Sequence, residues 1–514
     1  MPIRAEKDIM KRLKLSEYIN ALDKAGLTEK VSIRPETADT LIECLTYDTR
    51  ELSKNAIFVC KGAHFKKEYA AFAAENGAAV LIAETEFDVP DLIKVRDIRK
   101  AMPILAKLFY DDAPSKVTSI GITGTKGKST TAYYIRAVLD AWAKGENRNK
   151  CAVISSIDTY DGVESFESHL TTPESIQLYK HFNNAYESGI EHLVMEVSSQ
   201  ALKYDRVDGI TFDVAVFTNI GTDHISPVEH ENFEDYYSSK LKIFDHCRTA
   251  CINTDADFAS KTLSEANGKC RIVTYGSHES DDIYCSGIEK RDGATWFKVR
   301  TPEYERELCI TMPGIFNVSN ALATIAVCYV LGIPEKYVAE GLYGARAGGR
   351  MQVYESSDKR VTVIVDYAHN KMSFEALYDS TRTEYPGKKM ISVFGCPGYK
   401  AYLRRHDLGK AAGDNCDYVI LTEEDSGEEP FESIAKDIAA NIENCPYDII
   451  EDRGEAIRHA VMDCLRGEKK VILLTGKGEE TRQKRGTLYI DCPSDVDYTL
   501  KFLEEYDKAA LPVV

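Results

Sequence analysis

The sequence predicts an α/β protein of about three domains. Three observations carry this. The chain has 514 residues. The stretch VTSIGITGTKGKSTTAYYIRAVLDA, Val117–Ala141, runs strand, glycine-studded turn, helix. From about residue 349 onward, short apolar runs alternate with helical stretches, as in a doubly wound parallel sheet.

Residues 1–115 alternate short strands and helices. Ile57–Cys60 and Ala79–Ile82 are predicted as buried strands, with a helix over Tyr69–Asn76 between them. Thr49 and Arg50 lie in a polar turn before the first of these strands. Ala63, His64 and Phe65 follow it, where ligands bind in α/β domains. Taken alone, such residues are ordinary polar groups of turns. Ala113-Pro114-Ser115 punctuates a boundary.

Val117–Ile122 is a β-branched run, and the helix after the turn places Ile135, Val138 and Leu139 at core spacing. The turn is Gly124-Thr125-Lys126-Gly127-Lys128-Ser129-Thr130, the context of a phosphate-binding P-loop. Loop N–H groups and the positive helix end would cradle phosphate oxygens. Lys128 would reach the β- and γ-phosphates of ATP, and Ser129 would sit on Mg²⁺. The strict motif is not met, because Ile122 stands where it asks for glycine. The alternative is a glycine-rich strand–helix turn with two incidental lysines.

Two further buried strands end in polar residues. HLVMEVSS (192–199) brings Glu196, Ser198 and Ser199, and DVAVFTNIGTDH (213–224) brings Asn219, Asp223 and His224. A carboxylate and an imidazole at strand ends suit Mg²⁺ beside ATP phosphates. A lone histidine there is otherwise a structural, hydrogen-bonded residue. His169-Leu170-Thr171-Thr172-Pro173 is a hydroxyl-rich turn that could bind a phosphate or sugar. It could equally cap a helix near Ser175–Asn183. PGIFNVSNALATIAVCYVL (313–331) is predicted as a capped helix with Asn317 and Asn320 at its start.

Gly348-Gly349-Arg350 marks a second boundary. Beyond it the strands Val361–Val365, Met390–Phe394, Tyr418–Leu421 and Lys470–Leu474 give a Rossmann-type pattern. The loops after them, DYAHN, GCPGYK, TEEDSGEEP and TGKGEE, would gather on one edge and form a ligand crevice.

Composition excludes several classes. A net charge of −18 argues against a non-specific nucleic-acid binder. No run of 18 apolar residues exists, so no membrane span is expected. MPIRAEKDIMKRLKL lacks the apolar core of a signal peptide, and the fourteen cysteines show no CxxC pair. Reduced thiols in a cytoplasmic protein are expected.

YDTR, GITGTKGKSTTA, LTTPES, MEVSSQAL followed by RV, FTNIGTDH, YYSSKLKIF, FNVSNA, GRMQV, DYAHN, VFGC and TGKGEE occur in this order. With that set the chain resembles the Mur ligase family along nearly its whole length. Within it, the chain is similar to the MurE type, which adds the third residue of the peptidoglycan stem peptide. KGAHFKKEY, TGTKGK, MEVSSQA and DHISPVEHENFEDY bring it nearest the lysine-adding members.

The resemblance implies a three-domain Mur ligase architecture. Residues 1–115 would be an N-terminal UDP-binding α/β domain, 116–348 a central P-loop ATPase domain, and 349–514 a C-terminal Rossmann-like domain for the amino acid. It implies ATP-dependent amide formation between UDP-MurNAc-L-Ala-D-Glu and a free amino acid, through an acyl phosphate. A monomer is expected.

By position in the motifs, the resemblance assigns Lys128 and Ser129 to the phosphates and Mg²⁺. Glu196 and His224 become ligands of a second Mg²⁺. Lys240 becomes the carbamylated lysine (N6-carboxylysine, formed with CO₂) of that site; Lys242 lies close by, but SSKLKIF selects Lys240. Gly124–Thr130, Asn317, Asn320, Arg350 and Asp366 fall to the nucleotide, and Thr171, Thr172, Ser198 and Arg206 to the UDP-substrate. Thr49 and Ala63, His64 and Phe65 fall to its uridine end. Lys400, Glu424, Asp425, Ser426, Gly427, Gly476 and Glu480 fall to the incoming amino acid.

There are departures. Gln200 replaces a common histidine, and Glu479 replaces the histidine of GKGHE. The DNPR motif of diaminopimelate-adding enzymes reads Glu424-Asp425-Ser426-Gly427 here. Gly427 in place of arginine, in a stretch Glu423–Glu429 with five carboxylates, favours L-lysine; meso-diaminopimelate and ornithine stay open. A ligase of folylpolyglutamate synthase type and a catalytically silent nucleotide binder are the competing functions.

Overall fold

The computed structural model describes residues 12–62, 65–168, 170–222, 225, 229–399 and 402–510. Ala63, His64, His169, Asp223, His224 and Lys400 lie outside the described residues. Among the described residues the strands form three sheets and a separate hairpin.

The first sheet has the order Thr28–Ser32, Leu92–Val95, Ala78–Ala83, Ala56–Val59, Cys44–Thr46. Its inner strands are parallel and apolar on both faces, with Ile57, Phe58, Val80 and Ile82 wholly buried. Continuous apolar runs of this kind are what a sheet covered on both faces requires. The helix between these two strands spans Lys67–Glu75.

The central sheet has eleven strands. Its parallel core runs Arg271–Gly276, Cys247–Asn253, Phe212–Phe217, Thr118–Thr123, His192–Glu196, Ala152–Ile154. The P-loop strand Thr118–Thr123 lies between Phe212–Phe217 and His192–Glu196, parallel to both. Strand order reverses about it, so the carboxyl ends of these three strands open a crevice. Helix Lys128–Gly145 leaves directly from that crevice and buries Ile135, Val138 and Leu139.

The third sheet runs Gln352–Glu355, Val361–Asp366, Lys470–Thr475, Lys389–Phe394, Tyr418–Leu421, Tyr447–Ile449. Only the first strand is antiparallel to its neighbour. The loops after the parallel strands therefore leave from one edge.

Two expected caps are absent. Helix Ser175–Glu187 starts from Glu174 without a side-chain cap, so Thr171 and Thr172 do not cap it. Helix Asn317–Leu331 starts from Phe316, also without a side-chain cap. Among the described residues, no helix is long and apolar enough to cross a membrane.

The three sheets are tied by charged contacts. Lys61 meets Glu174 at 2.7 Å, joining the first to the second. Lys290 meets Glu384 at 2.6 Å, joining the second to the third.

Candidate active site

The P-loop is held open by its neighbours. Lys126 N–H donates to Asn219 Oδ1 at 2.8 Å, and Thr218 Oγ1 donates to the Lys126 carbonyl at 2.7 Å. Thr125 Oγ1 pairs with Tyr236 Oη at 3.1 Å. Gly127 precedes the helix at φ +81°, and a Cβ there would run into Asn320 Oδ1, so glycine is needed twice over. Lys128 Nζ donates to the Gly124 and Thr125 carbonyls at 3.0 and 3.3 Å, folding back over the loop.

Ser129 and Glu196 converge on Ser156. Ser156 Oγ lies 3.1 Å from Ser129 Oγ and 3.2 Å from Glu196 Oε1, and the Ser156 N–H donates to the same carboxylate oxygen at 2.9 Å. Glu196 is 1% exposed. This all-oxygen donor set is the kind Mg²⁺ takes. Lys240 is buried too, and its Nζ donates to the Gly124 carbonyl at 2.9 Å, on the P-loop side rather than toward Ser156.

Arg350 reaches in from the start of the third sheet. Its Nη2 donates to Ser129 Oγ at 3.0 Å. Its Nε is buried without a hydrogen-bond partner among the described residues. A buried guanidinium N–H left unpaired is costly, and a phosphate oxygen beside the P-loop would satisfy it. Asp366 accepts from the Met351 and Ala368 N–H groups, and burial lifts its carboxyl above the usual range against the pull of Arg350.

Three cavities meet here. One of about 310 Å³ lies between Lys126, Gly127, Thr130, Asn320, Arg350 and Asp366, with Phe316 and Met372 as apolar walls. Asn317 stands behind it, taking a hydrogen bond from Asn320 at 2.9 Å. The second, about 390 Å³, lies between Tyr133, Asp158 and Glu479. The third, about 300 Å³, brings Lys128, Ser129, Glu196 and Thr171 opposite Asp425 and Glu480.

The LTTPES turn is an internal lattice. Thr172 Oγ1 donates to the Glu196 carbonyl at 2.9 Å and accepts from the Ser198 N–H at 3.0 Å. Ser198 caps helix Ser199–Lys203. Arg206 donates to the Thr172 carbonyl and pairs with Glu174 at 2.9 Å, its Nε buried without a partner among the described residues. Thr49 is half-buried beside the Asp48–Arg50 pair, and Phe65 packs on Phe58, Tyr69 and Phe87.

The acidic stretch departs from expectation. Its carboxylates are mostly neutralised: Glu423 by Arg485, Asp425 by Lys477 at 3.0 Å, Glu429 by Arg405 at 2.7 Å. These partners are far away in the chain, which is why the run looks acidic in isolation. Lys477 also meets Glu480 at 2.5 Å. Ser426 is buried, and Gly427 N–H donates to the Lys484 carbonyl at 3.1 Å. Lys477 and Ser156 were not singled out from sequence. Lys477 lies inside the TGKGEE loop, whereas nothing local marks Ser156.

Glu424 is the buried exception in that stretch. It is 9% exposed, and its carboxylate has no hydrogen bond among the described residues. It fits only because Gly476 has no Cβ. Burial pushes its pKa up to about 7, with Arg453 and Lys477 opposing. A carboxyl raised in the fold ionises more readily in the unfolded chain, so stability is lost as pH rises from about 4.5 to about 7. Glu424→Gln should match the parent near pH 4 and exceed it by roughly 2–3 kcal/mol above pH 7. Urea unfolding at pH 5 and pH 8 checks this; a pH-independent difference contradicts it.

Comparison with known proteins identifies relatives of this arrangement. Residues 122–328 match the Mur ligase middle domain, and residues 349–478 match the Mur ligase, glutamate ligase domain. The chain is 35% identical over 460 residues to a UDP-N-acetylmuramoyl-L-alanyl-D-glutamate–L-lysine ligase of Enterococcus faecalis, covering 87% of this chain and 89% of that one. It is 34% identical over 480 residues to the corresponding 2,6-diaminopimelate ligase of Clostridioides difficile, covering 92% and 96%. A solved UDP-N-acetylmuramoyl-L-alanyl-D-glutamate–2,6-diaminopimelate ligase superposes with a TM-score of 0.64 at 21% identity, over 96% of this chain and 100% of that one.

Proposed function

The chain belongs to the Mur ligase family, and we propose that it joins L-lysine to the D-Glu γ-carboxylate of UDP-MurNAc-L-Ala-D-Glu at the expense of ATP, in peptidoglycan precursor synthesis. One observation carries this. The phosphate-binding P-loop and Glu196 share a single cavity with Asp425 and Glu480, two carboxyl groups bridged by Lys477 whose remaining oxygens can accept hydrogen bonds from an amine. An amide ligase needs both in one place: a phosphate donor to activate a carboxylate, and an amine beside it.

A carboxylate is a poor acyl electrophile until one oxygen becomes a leaving group. The γ-carboxylate of D-Glu attacks the γ-phosphate of ATP, ADP leaves, and an acyl phosphate forms. The α-amine of the amino acid then attacks that carbonyl, loses a proton, and phosphate departs. Lys128 and the loop N–H groups offset the charge that builds as two anions approach. Arg350, which donates to Ser129 Oγ, would meet the phosphates from the same side. Mg²⁺ on Ser129 would neutralise phosphate oxygens. Glu196 and His224, with a carbamate on Lys240, would hold a second Mg²⁺. Thr171, Thr172, Ser198 and Arg206 would contact the UDP-substrate, and Thr49 with Ala63, His64 and Phe65 its uridine end. In this scheme residues 1–115 hold the UDP end, 116–348 the ATP, and 349–514 the amino acid.

The choice of lysine rests on Gly427 and on the paired cavity carboxylates. Diaminopimelate brings a second carboxylate, and an arginine fork at the position of Gly427 is missing. Phosphate release with UDP-MurNAc-dipeptide and L-lysine, L-ornithine or meso-diaminopimelate tests it. L-Lysine should be preferred over meso-diaminopimelate by on the order of 10²-fold in kcat/KM. A preference for diaminopimelate overturns the argument from Gly427.

A further inference from the structure

Arg482 lies in the reaction cavity, and neither the P-loop chemistry nor the motif residues account for it. It opens the hairpin Arg482–Arg485/Leu488–Asp491, whose first strand is fastened to the 423–427 loop. The Gln483 carboxamide oxygen accepts from the Glu424 and Asp425 N–H groups at 3.3 and 2.8 Å. Lys484 N–H donates to Asp425 Oδ1 at 2.8 Å, and Gly486 N–H to the Gly427 carbonyl at 2.7 Å. Lys477 Nζ donates to the Arg482 carbonyl at 2.7 Å. The backbone of Arg482 is thus fixed from two loops, and its guanidinium lies 5.1 Å from the centre of the Tyr489 ring. The side chain is 27% exposed, and its Nη2 lies 4.0 Å from Glu167 Oε1.

The polar groups of this cavity match those of a diamino acid: acceptors for amines and one cation for a carboxylate. Lysine carries two ammonium groups and one carboxylate. Asp425 and Glu480 offer carboxyl oxygens to amines, although Lys477 already bridges the two and burial pushes the Glu480 pKa up to about 8; Arg482 is a cation in the same cavity. Arg482 also shares the cavity with Lys128, Ser129 and Glu196, so a group it binds sits at the reacting end of the amino acid. Gly427 and Glu424 do not line that cavity. The α-carboxylate is one carbon from the nucleophilic α-amine. We infer that Arg482 binds the α-carboxylate of the incoming amino acid and so aims its α-amine at the acyl phosphate carbonyl. A guanidinium fork holds a carboxylate in two parallel hydrogen bonds, which fixes direction as well as position.

This inference rests on the ligase function proposed above, and L-lysinamide separates the two. It keeps both amines of lysine and lacks only the carboxylate. The unaltered protein should prefer L-lysine to L-lysinamide by on the order of 10²-fold in kcat/KM. Arg482→Gln should raise the KM for lysine about ten-fold or more and collapse that preference to a few-fold, with the KM values for ATP and UDP-MurNAc-dipeptide changed less than about two-fold. Arg482→Lys should keep part of the preference, because the charge stays and the fork is lost. Glu167→Gln should keep all of it, whereas a purely structural bridge between the domains would make it behave like Arg482→Gln. An unchanged lysine-to-lysinamide ratio in Arg482→Gln overturns the assignment. So does a rise confined to the KM of the UDP-dipeptide, which would place the D-Glu carboxylate there. So does a loss confined to meso-diaminopimelate, which would place a far-end carboxylate there. No amino-acid-dependent phosphate release in the unaltered protein overturns the ligase function itself, and this inference with it.

Discussion

Replacing Lys128 with alanine should lower turnover by on the order of 10³-fold or more and leave the molecule folded. The two halves of that expectation come from different contacts. Lys128 is the first residue of helix Lys128–Gly145, where alanine is at least as good a helix former. The loop keeps its shape through Lys126 with Asn219, Thr218 with the Lys126 carbonyl, and Thr125 with Tyr236. What disappears is the ammonium poised over the Gly124 and Thr125 carbonyls at the mouth of the cavity. Its charge is needed most when the γ-phosphoryl group is in flight between two anions. A 10³-fold loss corresponds to about 4 kcal/mol of transition-state stabilisation. Single-turnover phosphate release measures the loss, and thermal unfolding followed by circular dichroism checks the fold. Near-normal turnover would remove the P-loop from the mechanism.

The parts of this site that were legible in the sequence are those whose chemistry is local. A β-branched run, three glycines and an amphipathic helix within 25 residues specify the P-loop and its strand and helix, and the fold forms them there. Buried strands of the third sheet were legible for the same reason: a parallel sheet covered on both faces must be apolar throughout. Charge was not legible. Arg405, Lys477 and Arg485 neutralise an acidic run from which they are separated by tens of residues in sequence. The same holds for Ser156, which joins Ser129 to Glu196 from a strand end with no motif of its own. Arg482 was hidden by alternation, since only the pinning of Gln483 and Lys484 to the 423–427 loop decides which way its neighbour faces.

Lys240→Ala should leave little activity, a loss on the order of 10²-fold or more, and short carboxylates such as acetate should restore part of it. Lys240 lies near the end of helix Phe233–Leu241, 2% exposed, with Nζ 2.9 Å from the Gly124 carbonyl and 4.7 Å from the centre of the Tyr236 ring. As an ammonium it would add a cation under the P-loop without offering an oxygen to a metal. As a carbamate it becomes an anionic oxygen ligand and still keeps one N–H for the Gly124 carbonyl. Carbamate formation needs a neutral amine and dissolved CO₂. The adduct adds about 44 Da to the native protein and should give a carbonyl signal when the protein is prepared with ¹³C-labelled CO₂. A purely structural role predicts something else: the alanine variant would melt at a lower temperature, and acetate would restore nothing. Full activity after strict removal of CO₂, or in Lys240→Ala, would count decisively against the carbamate.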